Sequence, residues 1–169
     1  AKAFRDAHIY ECDDYGNAYD KYANIPQELR DRPNWVAYRT EQRENGKLSK
    51  VPINPRTGEY ASPTNPHTWG TYREAVDAQR RYNLAGIGFN FGAEFQGYVG
   101  VDIDNAVLND GTLKPFAMEI VSILNSYTEY SPSGKGIHII CKSSENMQNW
   151  GYGGAIRHRN DELGVEVYD

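Results

Sequence analysis

A mixed α/β (α+β) domain, in which helices pack on a sheet, is the fold class the sequence predicts. Short runs of β-branched and aromatic residues recur along the chain, as strands require. Two segments, 71–82 and 114–126, carry helical spacing or a helix-start proline instead. Strand-like and helix-like segments follow one another in mixed order, without an internal repeat, and that order favours a sheet covered by helices.

The elements are expected in the following order. Residues 1–23 are rich in Asp, Tyr and Ala without clean periodicity and form an N-terminal extension; the domain proper runs over 24–169. Asn24 offers a cap for a short helix with Pro26 in its first turn and Glu28 and Leu29 after it. Trp35–Thr40 reads as a strand, Asn45-Gly46 as a turn and Lys50–Ile53 as the returning strand of a hairpin. Between Asn54 and Gly70 the density of Pro, Thr, Gly, Asn and Ser predicts a long ordered loop, of a kind that often serves function. Ala75, Ala78, Gln79 and Tyr82 give the helix over 71–82 a face to pack on a sheet, and Gly86 lies past its end. Strands are expected over Gly86–Phe91 and Tyr98–Asp104, joined by a short turn, and a helix over Lys114–Ser126. Two more strands follow at Tyr127–Tyr130 and Gly136–Cys141, then a polar loop over Glu145–Asp161 and a last strand over Gly164–Asp169.

Composition narrows the functional classes. The 169 residues suit one domain, and with 39% hydrophobic and 24% charged residues they match an ordinary globular protein. No apolar run is long enough to cross a bilayer, and the first residues lack a secretory start, so a cytoplasmic protein is expected. Cys12 and Cys141 fit neither a disulfide framework nor paired zinc ligands, so free thiols and no zinc are expected, with Cys141 as a small buried hydrophobe. The net charge of −5, from 18 basic and 23 acidic residues, does not advertise a nucleic-acid binder. A local basic groove is compatible with that total, because carboxylates can be spent on metal.

Three strand segments share one pattern, a metal-capable side chain between aliphatic ones: Val101-Asp102-Ile103-Asp104, Ile137-His138-Ile139 and Val165-Glu166-Val167. Strand side chains alternate faces, so the aliphatic residues can enter the core while Asp102 and Asp104, and likewise His138 and Glu166, point the other way. If the strands are neighbours, one sheet face carries three carboxylates and an imidazole. Oxygen ligands of this kind favour magnesium or manganese, and two ions roughly 4 Å apart can drive an in-line displacement at phosphorus. Ser131-Pro132-Ser133-Gly134-Lys135-Gly136 precedes the His138 strand and joins backbone N–H groups, hydroxyls and an ammonium in a turn that can cradle phosphates. Its spacing is not that of a Walker A loop. Each residue alone has an ordinary alternative: an Asp pair can cap a turn, a strand histidine can be a packed or surface residue, and Glu166 can be a solvated strand residue. The charges at Lys47, Lys50, Arg56 and Arg157-His158-Arg159 are as compatible with solvated loops as with phosphate contacts. Trp35, Trp69 and Phe89 are expected in packing.

The stretches "NWVAYR", "KVPINPRTGEYASPTNPHTW", "GIGFNF", "GVDIDN", "YTEYSPSGKGIHI" and "VEVYD" occur in this order. Through them the run from Ile25 to Asp169 resembles the primase-polymerase domains of the archaeo-eukaryotic primase superfamily, of phage and plasmid replication type. The resemblance implies an RRM-like catalytic sheet joined to an N-terminal α/β unit. It implies catalytic metal ligands at Asp102, Asp104 and Glu166, with Asp169 a weaker substitute for the last. Ser133, Lys135 and His138 then lie by the phosphates of the incoming nucleotide. The expected activity is template-directed nucleotidyl transfer with two Mg2+ or Mn2+ ions, dNTP or NTP as substrate, and single-stranded or primed DNA as template. The family pattern continues beyond Asp169, so a longer protein is expected, with a helicase or another replication domain as a candidate fusion. Two other functions stay open: a metal-dependent nuclease, and a catalytically silent nucleotide- or DNA-binding module.

Overall fold

The computed structural model describes residues 22–44, 46, 48–91, 96–145 and 159–168. The extension expected over 1–23 lies outside these except for its last two residues, and so do Cys12, Asn45, Lys47, Arg157, His158 and Asp169.

Helix α1 (Gln27–Arg30) is a single turn that begins behind Pro26 rather than at an Asn24 cap. The Pro26 carbonyl accepts from the N–H groups of Leu29 and Arg30 at 3.0 and 3.2 Å. No side chain caps the helix; the Arg30 guanidinium instead ties back the preceding turn through the carbonyls of Tyr22, Ala23 and Ile25. Strands β1 (Trp35–Gln42) and β2 (Leu48–Ile53) form the expected antiparallel hairpin, from Ala37 opposite Ile53 to Gln42 opposite Leu48. The loop over 54–70 folds back on that hairpin: Ala61 N–H bonds the Pro52 carbonyl at 2.9 Å and the Trp69 indole bonds the Ser62 carbonyl at 2.7 Å. Helix α2 (Tyr72–Arg81) opens on a capping box in which Thr71 Oγ1 accepts from Glu74 N–H while the Glu74 carboxylate accepts from Thr71 N–H. Arg56 and the Thr71 bonds hold the Glu74 carboxyl below the usual carboxylate range. Strand β3 (Gly86–Phe89) pairs with the free edge of β1, completing a three-stranded sheet β2-β1-β3 with α2 against it.

The second sheet is formed by β4 (Tyr98–Ile103), β5 (Tyr127–Tyr130), β6 (Ile137–Lys142), β7 (Arg159–Asn160) and β8 (Val165–Tyr168), in the order β5-β6-β4-β8-β7 with antiparallel neighbours. Helix α3 (Pro115–Leu124) crosses from β4 to β5 and ends at Asn125 in the left-handed conformation. Its Ala117 and Val121 pack on Val101, Ile103, Ile137 and Ile139, so one face of this sheet is core. Two antiparallel sheets with few helices make an α+β fold, and the β-α-β-β order with β4 in the middle is the RRM-like arrangement expected.

Two features add to the expected order. Strands β3 and β4 are close in sequence but belong to different sheets, since β3 pairs with β1 and β4 with β6 and β8. Ring packing runs between the two strands, with Phe89 edge-on to Tyr98 at 6.1 Å. Within the polar segment 145–161, read as loop, Arg159 and Asn160 add a short edge strand to β8. Cys141 is a free thiol, as expected, but only partly buried; burial raises its pKa and its Sγ lies 3.6 Å from the Val99 carbonyl. Trp35 and Trp69 are core residues. No helix among the described residues is long and apolar enough to cross a membrane.

Ile103 and Ile139 are fully buried under α3. Truncating either to Ala is expected to cost about 2–5 kcal/mol in denaturant unfolding, while Ile123→Ala on the exposed side of α3 should stay within about 0.5 kcal/mol. Equal effects at all three positions would contradict this core.

Candidate active site

The open face of the five-stranded sheet is set by alternation. With Val101 and Ile103 under α3, Asp102 must project from the opposite face, and the same holds for His138 between Ile137 and Ile139. Strand pairing then aligns the polar residues. Arg159 stands opposite Glu166, Glu166 opposite Asp102, Asp102 opposite His138, and His138 opposite Glu129. One register line therefore crosses all five strands and carries two cationic-type and three acidic side chains.

Contacts along that line are specific. His138 Nδ1 lies 3.1 Å from Glu129 Oε1, and its Nε2 lies 3.8 Å from Asp102 Oδ1. An ionised carboxylate only accepts, so Nδ1 carries the hydrogen and Nε2 is turned toward Asp102. Glu166 Oε2 meets Arg159 Nη1 at 3.3 Å, and Arg159 Nε also holds Asp161 at 2.6 Å. Arg159 thus faces carboxylates; Arg157 and His158, weighed with it between solvated loop and phosphate contact, lie outside the described residues. Asp104 lies one residue past β4, its N–H bonded to the Gly164 carbonyl at 2.8 Å.

Tyr168 sits among the acids. Burial, and then the charges of Asp102, Glu166 and Asp104 together with a hydrogen bond to Asp102, push its hydroxyl far above the usual phenol range. It therefore stays protonated and donates. The ring fits because its cross-strand partner is Gly100: a Cβ there would lie 2.7 Å from both the Tyr168 and Phe91 rings. Asp102, His138 and Glu129 of the register line, with Tyr168, line a cavity of about 490 Å³ whose other wall belongs to the three-stranded sheet.

The turn 131–136 links β5 to β6 beside this cavity, with Pro132 in its lining. Ser131 Oγ accepts from Gly136 N–H at 3.1 Å, Ser133 Oγ from Lys135 N–H at 3.3 Å, and the Ser131 carbonyl from Gly134 N–H at 2.8 Å. Those three N–H groups, expected to face a phosphate, are engaged within the turn. Ser133 and Lys135 themselves are exposed, offering a hydroxyl and an ammonium.

Of the expected residues, Asp102, His138 and Glu166 share the register line, Asp104 adjoins it, and Ser133 and Lys135 stand on the neighbouring turn. Lys50 lines the far wall of the cavity, whereas Arg56 is paired with Glu74. Glu129, Tyr168 and the carboxylate-facing role of Arg159 were not identified from sequence. Oxygen donors from Asp102, Asp104 and Glu166 suit a hard divalent cation, and all three act on one hydroxyl. As placed, no three His, Cys, Asp or Glu side chains among the described residues are gathered into a metal-holding group.

An RRM-like sheet with an acidic open face, set against a second sheet across a shared cavity, defines a two-sheet cleft domain. No family model matches the chain. It is 34% identical over 139 residues, 80% of its length, to the protein named DNA Primase-polymerase of Nitratiruptor phage NrS-1. The chain belongs to the primase-polymerase domains of phage type. It spans 18% of that relative's length.

Because Glu129 is what fixes the imidazole, Glu129→Leu should release the tautomer of His138. In 15N-resolved NMR above the histidine titration range, the native chain should show hydrogen on Nδ1 and the variant a mixture with Nε2. An unchanged tautomer would remove Glu129 from this role.

Proposed function

We propose that the chain carries the catalytic face of a DNA primase-polymerase, joining nucleotides on single-stranded or primed DNA in the replication of a phage, plasmid or other mobile element. The observation that supports it is the register line, which sets Asp102 and Glu166 side by side and His138 next to them on a face that opens into a cavity. The family supports the same reading. Asp102, Asp104 and Glu166 would hold Mg2+ or Mn2+, and bound ions supply activation of the attacking 3′ hydroxyl and charge stabilisation at the leaving pyrophosphate. Tyr168, held protonated, fixes one side of the Asp102 carboxylate. His138, its Nδ1 donating to Glu129, presents Nε2 at the edge of the acidic group, where the imidazolium form can donate from it to a phosphate oxygen of the incoming triphosphate. Ser133 and Lys135 add a hydroxyl and an ammonium to the same triphosphate. Arg159 must release Glu166 before that carboxylate can act as a ligand.

The Arg159–Glu166 pair, with no gathered three-ligand group among the described residues, favours a second reading: a nucleotide- or DNA-binding module without catalysis. A gel assay on primed single-stranded DNA, with Mg2+ or Mn2+ and separate dNTP and NTP sets, decides between them. Under the first reading the native chain extends the primer, and Asp102→Ala or Asp104→Ala lowers extension at least about a hundredfold with the fold retained. Binding without extension supports the second reading, and strand shortening points to a nuclease.

Arg159 competes with a cation for Glu166, so Arg159→Ala is expected to tighten Mn2+ binding several-fold in calorimetry, and Asp102→Ala to weaken it. Equal affinity in all three proteins would dismiss this metal site.

A further inference from the structure

The wall facing the acidic sheet has a chemistry of its own. Thr40 stands opposite Lys50 and Tyr38 opposite Gly86 in the three-stranded sheet, so alternation places Tyr38, Thr40 and Lys50 on one face. All three line the same cavity as Asp102, Glu129 and His138. The Tyr38 ring lies flat across Gly86, where a Cβ would come within 2.6 Å of its hydroxyl and 2.7 Å of its ring carbons. Any larger residue at position 86 would lift the ring. Lys50 Nζ stands over the ring, 5.2 Å from its centroid, a contact that a stacking base would have to displace; Lys50 and Thr40 are exposed while Tyr38 is half-buried. An aromatic plane, an ammonium and a hydroxyl thus meet on one surface.

A ligand that satisfies all three needs a flat π-face and an anionic oxygen about one sugar apart, and a nucleotide unit has both. Aromatic side chains bind bases without regard to sequence, and single cations track the backbone phosphates. The cavity volume of about 490 Å³ lies within the range of small-molecule sites. We propose that Tyr38, Thr40 and Lys50 form a nucleotide-binding wall, the base stacking on Tyr38 in exchange for the Lys50 ammonium, which turns from the ring to the phosphate beside Thr40. It rests on the reading that the opposite wall handles nucleotides. The unit can come from a DNA strand or from a free nucleoside triphosphate, and the two sources are separable.

The test measures binding rather than extension. Fluorescence anisotropy of a labelled single-stranded oligonucleotide, and separately of a fluorescent dNTP with Mg2+, is followed across a salt series for the native chain, Lys50→Ala, Tyr38→Leu and Tyr38→Phe. Tyr38→Leu should weaken at least one probe roughly tenfold, and Tyr38→Phe should restore it, because only the ring is needed. Lys50→Ala should weaken the same probe, and if that probe is the oligonucleotide its log–log salt slope should fall by about 0.7. A response confined to the oligonucleotide assigns the wall to the strand; one confined to the dNTP assigns it to the incoming nucleotide. Lys50 is exposed, so its variant remains informative if Tyr38→Leu unfolds. Native-like binding of both probes by Lys50→Ala and by any folded Tyr38→Leu, or no binding by the native chain, overturns the proposal. Native-like binding in a chain that extends primers leaves the catalytic reading standing, whereas ring- and Lys50-dependent binding without extension leaves the wall standing and removes catalysis.

Discussion

Removing a carboxylate from water without a partner costs several kcal/mol, and β4 carries Asp102 with Asp104 just beyond it. The strand therefore admits one register. With Val101 and Ile103 under α3, Asp102 faces the cleft; a slip of one residue would press it into the helix-packed layer and turn two aliphatic side chains toward solvent. Strands β6 and β8 obey the same constraint through Ile137-His138-Ile139 and Val165-Glu166-Val167. Packing beneath α3 thus decides where the acids stand above the sheet, and the site needs no device of its own to locate them.

The face so formed is under electrostatic tension. Asp102 and Glu166 are directly opposed like charges, an arrangement that disfavours the pairing of β4 with β8. Neighbours offset it: Arg159 reaches Glu166, Tyr168 donates to Asp102, and His138 lies between Asp102 and Glu129. Each of these pairs is partly exposed, so each contributes modestly and can be exchanged for a ligand. A face that keeps two adjacent carboxylates only with such support is spending stability on something other than folding.

Much of this was legible in the sequence because it depends on alternation. The aliphatic–polar–aliphatic triplets around Asp102, His138 and Glu166 announce both a strand and a face. Glu129 carried no such sign: in Tyr127-Thr128-Glu129-Tyr130 aromatic residues occupy both parities, so neither face is marked as core until Thr128 is seen buried. Tyr168 looked like the end of a strand, and only the missing Cβ of Gly100 across the ladder makes room for it. Arg159 lay in a polar segment, where a two-residue edge strand leaves no periodic trace. The assignment of β3 and β4 to different sheets was equally hidden, since a short connection reports proximity and not hydrogen-bonded pairing. At α1 the helix begins behind Pro26 and not at the Asn24 that offered a cap, and Arg30 ties down the preceding turn through its carbonyls.

The two walls of the cavity have opposite needs. A phosphate entering it is repelled by Asp102 and Glu129 and attracted from the three-stranded sheet by Lys50. At a net charge of −5, the chain as a whole gives such a ligand no favourable long-range field. Neutralising the acidic wall with a divalent cation changes the balance, so cation and nucleotide favour each other, and the factor by which one tightens the other must be the same in both directions. Under the proposed function, the density of carboxylates that makes the free site unwelcoming to a triphosphate is also what makes its occupation conditional on metal.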